Sequence, residues 1–198
     1  MIVTVASHKG GVGKTTTAVH LATYFAEHHA PTLLVDGDPN RSATAWAGRG
    51  SLPFKVVDER QIAMQARRFE HVVIDTEARP DEEDLKALVE GCDLLVLPTT
   101  PDALALHVLL QTVDALKGLG ATNFRVLITM VPPRPSRDGA EARAMLQGDG
   151  LPVFESEVPR LVAYQKAALA GVPVLNSGDP RATTAWESYL NVGREILP

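Results

Sequence analysis

The sequence predicts a doubly wound α/β fold, a mostly parallel sheet flanked by helices, and three observations lead there. Short runs rich in Val, Leu and Ile recur along the chain, mostly continuous rather than alternating, as in strands buried on both faces. Longer patterns with helical periodicity separate them, and strand–helix alternation implies right-handed crossovers. A glycine-rich turn stands between the first apolar run and the first helical pattern, which is the setting of a phosphate-binding loop. At 198 residues the chain is expected to form a single domain, residues 1–198.

In order, the expected strands are "MIVTVAS", "PTLLVDGD", "FKVVD", "HVVIDT", "DLLVLPTT", "FRVLITMV" and a seventh, weaker run, "LPVFES". The expected helices cover residues 14–29, 40–48, 59–68, 81–91, 102–118, 138–148, 160–170 and 180–197. Proline and acids mark three helix starts, at Pro80-Asp81-Glu82-Glu83, Pro101-Asp102 and Asp179-Pro180. The proline-rich stretch "VPPRPSRDG" reads either as a mobile segment over a site or as an ordinary surface connection.

Composition narrows the class. With 45% hydrophobic and 22% charged residues the chain is that of a globular protein, and at 5% aromatics its core must rest on Ala, Val and Leu. A net charge of −5 argues against a constitutively basic nucleic-acid binder but leaves room for a local patch. The single cysteine, Cys92, excludes an internal disulfide and a cysteine-based metal site, and it reads as a small core residue. The six histidines are scattered. No signal peptide or membrane-spanning run is visible, so the expected location is the cytoplasm.

Ser7–Thr17, "SHKGGVGKTTT", carries the chemistry. Glycines at 10, 11 and 13 let backbone N–H groups, with those of Lys9, Val12 and the residues that follow, converge on phosphate oxygens. The following helix adds its N-terminal dipole. Lys14 is placed to reach the β- and γ-phosphates of ATP, Thr15 to ligate Mg²⁺ directly, and Thr16 to add a contact. The match to G-x-x-x-x-G-K-[ST] is not strict, because His8 stands where the first glycine should be. Downstream, "HVVIDT" supplies an apolar strand ending in Asp75, the pattern of a carboxylate oriented to a Mg²⁺-bound water. Asp36 and Asp38 end another strand; they face the ligand crevice of such a sheet or are ordinary strand-end acids.

"KGGVGKTTT" resembles the deviant Walker A motif, K-G-G-x-G-K-[ST], of the ParA/MinD group of ATPases, a family with the P-loop NTPase fold. The resemblance implies that Lys9 points across a nucleotide-sandwich dimer to the phosphates bound by the partner; the plainer alternative is a solvated loop lysine. "DGDPN" is similar to the family's D-x-D-P-Q, with Asn40 in the glutamine place; this implies that Asp38 positions the attacking water and that Asp36 and Asp38, with Asp75, help hold the metal shell through water. Thr76-Glu77-Ala78 departs from the usual continuation after the Walker B acid, and Glu77 is expected to add charge near the metal. "LLVLPTTPDALALHVLLQTV" is similar to the segment associated with dimer contacts. "ESEVPRLVAYQKAALAGVPV" resembles the stretch that places Pro159 near the adenine. The best match in size is the small class without an N-terminal DNA-binding domain.

The function this resemblance implies is an ATPase that dimerises with ATP, binds nonspecific DNA and so associates with the nucleoid. It positions a plasmid, chromosome region or protein cargo, and a small adaptor or centromere-binding protein stimulates its hydrolysis. Arg160, Lys166, Arg181 and Arg194 are the candidate DNA contacts, each also readable as a plain surface charge. The alternative is a metabolic ATP-dependent enzyme on the same fold, similar to dethiobiotin synthetase or the cobyrinate amidases. A basic amphipathic membrane helix is not expected, since "TTAWESYLNVGREILP" carries two glutamates and one arginine. One cysteine per subunit argues against an iron–sulfur cluster.

Overall fold

Six of the seven apolar runs become strands: β1 (Ile2–Ser7), β2 (Thr32–Asp36), β3 (Lys55–Asp58), β4 (His71–Ala78), β5 (Leu94–Thr99) and β6 (Phe124–Ile128). They form one parallel sheet in the order β3-β2-β4-β1-β5-β6. This computed structural model describes residues 1–78 and 82–198, and the helix start expected at Pro80-Asp81 lies outside them. The helices are α1 (Lys14–His28), α2 (Ser42–Ala47), α3 (Ile62–Gln65), α4 (Glu82–Glu90), α5 (Ala103–Gly118), α6 (Asp138–Gly148), α7 (Val162–Ala170) and α8 (Ala182–Ile196). The chain has the P-loop NTPase fold.

Successive residues of each strand feed opposite faces, so both sides of the sheet are covered. Val5, Leu34, Val73 and Leu127 pack under α1, α2, α7 and α8. Leu95, Leu97, Val126 and Ile128 pack under α4, α5 and α6, where half-buried Cys92 joins them. Few as they are, the aromatics are concentrated: Trp46, Tyr164, Trp186 and Tyr189 surround His20 on α1. The approach of α8 to α1 depends on Gly193, where a Cβ would overlap the ring of Tyr24.

Three expectations are corrected. Residues 59–68 do not make one helix but a 3₁₀ turn (Glu59–Gln61), the single turn α3 and another 3₁₀ turn (Ala66–Arg68). Only Ile62 and Ala66 of this stretch lean on the Leu33–Val35–Val57–Val72 cluster, none of its residues is buried, and short helices need packing to persist. "LPVFES" contributes one bridge, Val153 to Val126, and no strand. Pro152 has no N–H, and those of Glu155 and Ser156 are taken by the Glu195 carboxylate at 2.9 and 2.7 Å, so no ladder can continue. β6 stops at Ile128 instead of running to Val131, because Met130 turns the chain with φ 51°.

Among the described residues no helix is long and apolar enough to cross a membrane.

Candidate functional site

Sheet order brings the site together. β2, β4 and β1 are adjacent, so the loop after β1, Asp36 at the end of β2 and Asp75, level with it on the longer β4, meet at one edge. Asp75 is the register partner of both Asp36 and Val5.

The loop reaches α1 through two left-handed glycines, Gly11 at φ 80° and Gly13 at φ 88°. Gly13 caps α1 without a side-chain hydrogen bond, so the first N–H groups of the helix are not capped from there. At Gly10 a Cβ would meet no protein atom within 4 Å, so packing alone does not ask for glycine there. The Thr129 hydroxyl anchors the loop from the end of β6, within reach of the carbonyls of Val12 (2.8 Å) and Thr99 (3.1 Å).

A cavity of about 640 Å³ opens over this loop, lined by Gly10, Gly11, Gly13, Lys14, Thr15, Thr16 and, opposite, Asp38. Lys14 is buried and, among the described residues, forms no ion pair. A second cavity of about 250 Å³ shares Gly13 and Thr16 with the first and runs past Met130, Pro159 and Tyr164. Pro159 therefore shares a cavity with Gly13 and Thr16 of the phosphate loop.

The three acids differ. Asp36 is fully buried, and its Oδ2 accepts the N–H (2.8 Å) and hydroxyl (2.6 Å) of Thr44, which ties down the first turn of α2. Asp38 is partly exposed, and its Oδ1 accepts both the N–H and the side-chain amide of Asn40 at 2.8 and 2.9 Å. Asp75 is fully buried, yet neither carboxylate oxygen has a hydrogen-bond partner. Its carboxyl is raised to about 7, by burial first and by the Asp36 and Asp38 charges, against the downward pull of the Thr15 side chain and the Lys14 charge. A buried carboxylate without a partner is costly, and a hydrated cation in front of it would supply what it lacks. Among the described residues no three acids or histidines converge closely enough to hold a metal by themselves. The donor set fits Mg²⁺, which keeps several waters and takes the rest from one or two side chains and phosphate oxygens.

Glu77 follows Asp75 by two residues on β4. It lines a cavity with Glu59, Ile62 and Asp84, while its neighbour Ala78 lines the one over Lys14. Thr76, also unusual after the Walker B acid, gives its hydroxyl to the Val5 carbonyl at 3.0 Å and ties β4 to β1 where their register shifts.

Lys9 does not line the cavity over Lys14. It lies on a neighbouring one, with Thr100, Asp102, Asp138 and Arg160. All four cations expected at a DNA surface are exposed. Lys166 is paired with Asp179 at 2.9 Å, and the N–H of Arg181 binds the same carboxylate. Arg194 lies in the last turn of α8. Asn40 enters the sequence reading only as the residue in the glutamine place, and three further residues of the site do not enter it as candidates. Asn40 was legible as an Asx turn in "DPN". Thr44, Thr129 and Met130 had no local signal.

A glycine loop leading into a helix, a lysine beneath it and two acids in register on neighbouring strands define a nucleotide-binding site of the P-loop class. The chain belongs to the CobQ/CobB/MinD/ParA nucleotide binding domain family, which it matches over residues 3–174. It is 39% identical over 202 residues to maintenance of carboxysome distribution protein A of Gloeobacter kilaueensis, covering 98% of this chain and 93% of the relative. It is 31% identical over 180 residues to protein ParA of Rhizobium radiobacter, covering 82% and 80%. In fold it is similar to Cyanothece McdA without nucleotide, with a TM-score of 0.77 at 20% identity over 100% and 99% of the two chains. The complex of a Cyanothece McdA variant with ATP superposes at a TM-score of 0.73 and 20% identity, over 97% and 96%. At that identity the structures show the fold alone. The chain is thus a positioning or partition ATPase of the ParA/MinD type.

Proposed function

We propose that this protein is an ATP-dependent dimer that binds nonspecific DNA in its ATP state and positions a large cargo on the nucleoid, with hydrolysis stimulated by a small partner protein. The observation that carries the reading is the place of Lys9: a second cation on the phosphate loop that stays outside the cavity over its own loop. Such a cation can serve a neighbour's phosphates and so tie dimer formation to nucleotide.

Within one subunit Lys14, Thr15, Thr16 and the loop N–H groups would hold the phosphates, Pro159 would border the base, and Thr15 and Asp75, with Asp36, would hold the metal. Mg²⁺, when bound, offsets the charge on the β- and γ-phosphoryl oxygens. Asp38, held by Asn40, orients the attacking water. The relative at 39% identity is named for carboxysome distribution, which favours a protein microcompartment as cargo; the ParA relative makes a plasmid the next choice. DNA contact requires only a few cations per subunit, doubled by dimerisation, and Arg160, Arg181, Lys166 and Arg194 are the candidates.

The test is binding to nonspecific duplex DNA with ATP, ADP or no nucleotide, at low and moderate salt. Binding with ATP only, weakened by salt, is the expected result. No binding in any state with turnover intact would overturn the DNA reading and favour a small-molecule ligase.

A further inference from the structure

The Lys9 ammonium is not loose in its cavity. It lies 2.9 Å from Oδ1 of Asp102, 93 residues further along the chain. That carboxylate is itself built in. Oδ1 also accepts the N–H of Ala105 at 3.0 Å and so caps α5, while Oδ2 accepts a hydrogen bond from the Thr100 hydroxyl. The Thr100 hydrogen bond first and Lys9 second hold the Asp102 carboxyl down at about 2, so it stays ionised at any working pH. At the other end the Lys9 N–H is 3.2 Å from the Ser7 hydroxyl. The pair sits on the wall of a cavity of about 380 Å³ with Pro101, Met130, Asp138 and Arg160.

We propose that Asp102 is a positioning residue for Lys9: in the lone subunit it holds in cis the ammonium that reaches the partner's phosphates in the dimer, so closing the dimer breaks one such pair in each subunit. This rests on the role given to Lys9 under Proposed function. An ammonium has three donors, but sharing them between Asp102 and a phosphate would bring the two anions together, and their repulsion favours release of one.

The size of the effect follows from exposure. The side chains are 31% and 52% exposed, so this is a screened surface pair, able to shift an equilibrium by about 1.5- to 5-fold. A symmetric dimer opens two, and the effect on its dissociation constant is the square, roughly 2- to 25-fold.

Asp102→Asn isolates the charge, because asparagine caps a helix as well as aspartate does and has the same size. Dimerisation of the full chain would be measured by sedimentation with Mg²⁺ and a non-hydrolysable ATP analogue, for the wild type, Asp102→Asn, Lys9→Ala and the double variant. The expected result is a dissociation constant lowered about 2- to 25-fold in Asp102→Asn, shrinking as salt rises, and no gain from Asp102→Asn in the Lys9→Ala background. An unchanged or weaker dimer in Asp102→Asn overturns the proposal, as does an equal gain with Lys9 absent. A Lys9→Ala dimer as tight as the wild type would instead sink the trans role of Lys9, and a wild type that stays monomeric would sink the proposed function.

Discussion

Asp36 and Asp75 are register partners on adjacent parallel strands, and only one of the two carboxylates is hydrogen-bonded. Asp36 has Thr44; neither oxygen of Asp75 has a partner. On that ground Asp36 secures α2, and Asp75 is the carboxylate proposed to face a cation.

Replacing Asp75 with Asn should therefore stabilise the nucleotide-free protein while disabling it. Removing a buried charge beside Asp36 is expected to raise stability by about 1–3 kcal/mol, a few degrees of Tm. Nucleotide affinity should lose its dependence on Mg²⁺. Thermal scans and titrations with and without Mg²⁺ check both halves; an affinity that still responds to the metal as in the wild type would remove Asp75 from its site.

Asp38→Ala should bind ATP with little change and hydrolyse it at least ~10-fold more slowly, accumulating dimer. Asn40→Ala, which frees Asp38 from two hydrogen bonds, should reduce turnover by a few-fold at similar KM. Unchanged turnover in both variants would take the water-orienting role from this pair.

His20 makes stability fall in acid. Its Nδ1 faces the Thr16 carbonyl at 2.6 Å and its Nε2 accepts the Val174 N–H at 3.1 Å, so both partners require the neutral Nδ1–H form. Burial lowers its pKa to about 4, against about 6.5 in the unfolded chain. Below pH 6.5 the unfolded chain takes up the proton first, so the contribution is complete above that pH and is lost as pH falls toward 4. The loss is about 2 kcal/mol at pH 5 and about 3 at pH 4. Urea denaturation between about pH 4.5 and 7.5, compared with His20→Asn, isolates this slope, which should be absent from the variant.

Gly193→Ala should cost about 1–3 kcal/mol, because the added methyl enters the Tyr24 ring and α8 must move off α1. Equilibrium unfolding checks it. Gly118→Ala, where a Cβ meets nothing within 4 Å, serves as the control and should be nearly neutral.

What could be read in the sequence is what lies in contiguous residues. The phosphate loop is one stretch, "KGGVGKTTT", whose glycines, lysine and threonines carry their chemistry wherever the strand and helix beside them form. Asp75 was legible because a buried strand announces itself by a run of apolar residues, and so were six strands and most helices. Residues 59–68 do not form the one helix their pattern predicts, because that pattern lacks a partner to bury it. "LPVFES" was misread because the Glu195 carboxylate, 39 residues beyond Ser156, takes the N–H groups of Glu155 and Ser156.

Tertiary structure alone decided the rest. That β2, β4 and β1 are neighbours, and hence that Asp36, Asp75 and the loop share an edge, follows from crossovers that no local pattern encodes. The same holds for Glu77 lining a different cavity from Lys14, and for Lys9 meeting Asp102 across 93 residues. Local propensity acts over a few residues along the chain, whereas pairing between distant side chains depends on which strand ends the packed sheet sets side by side.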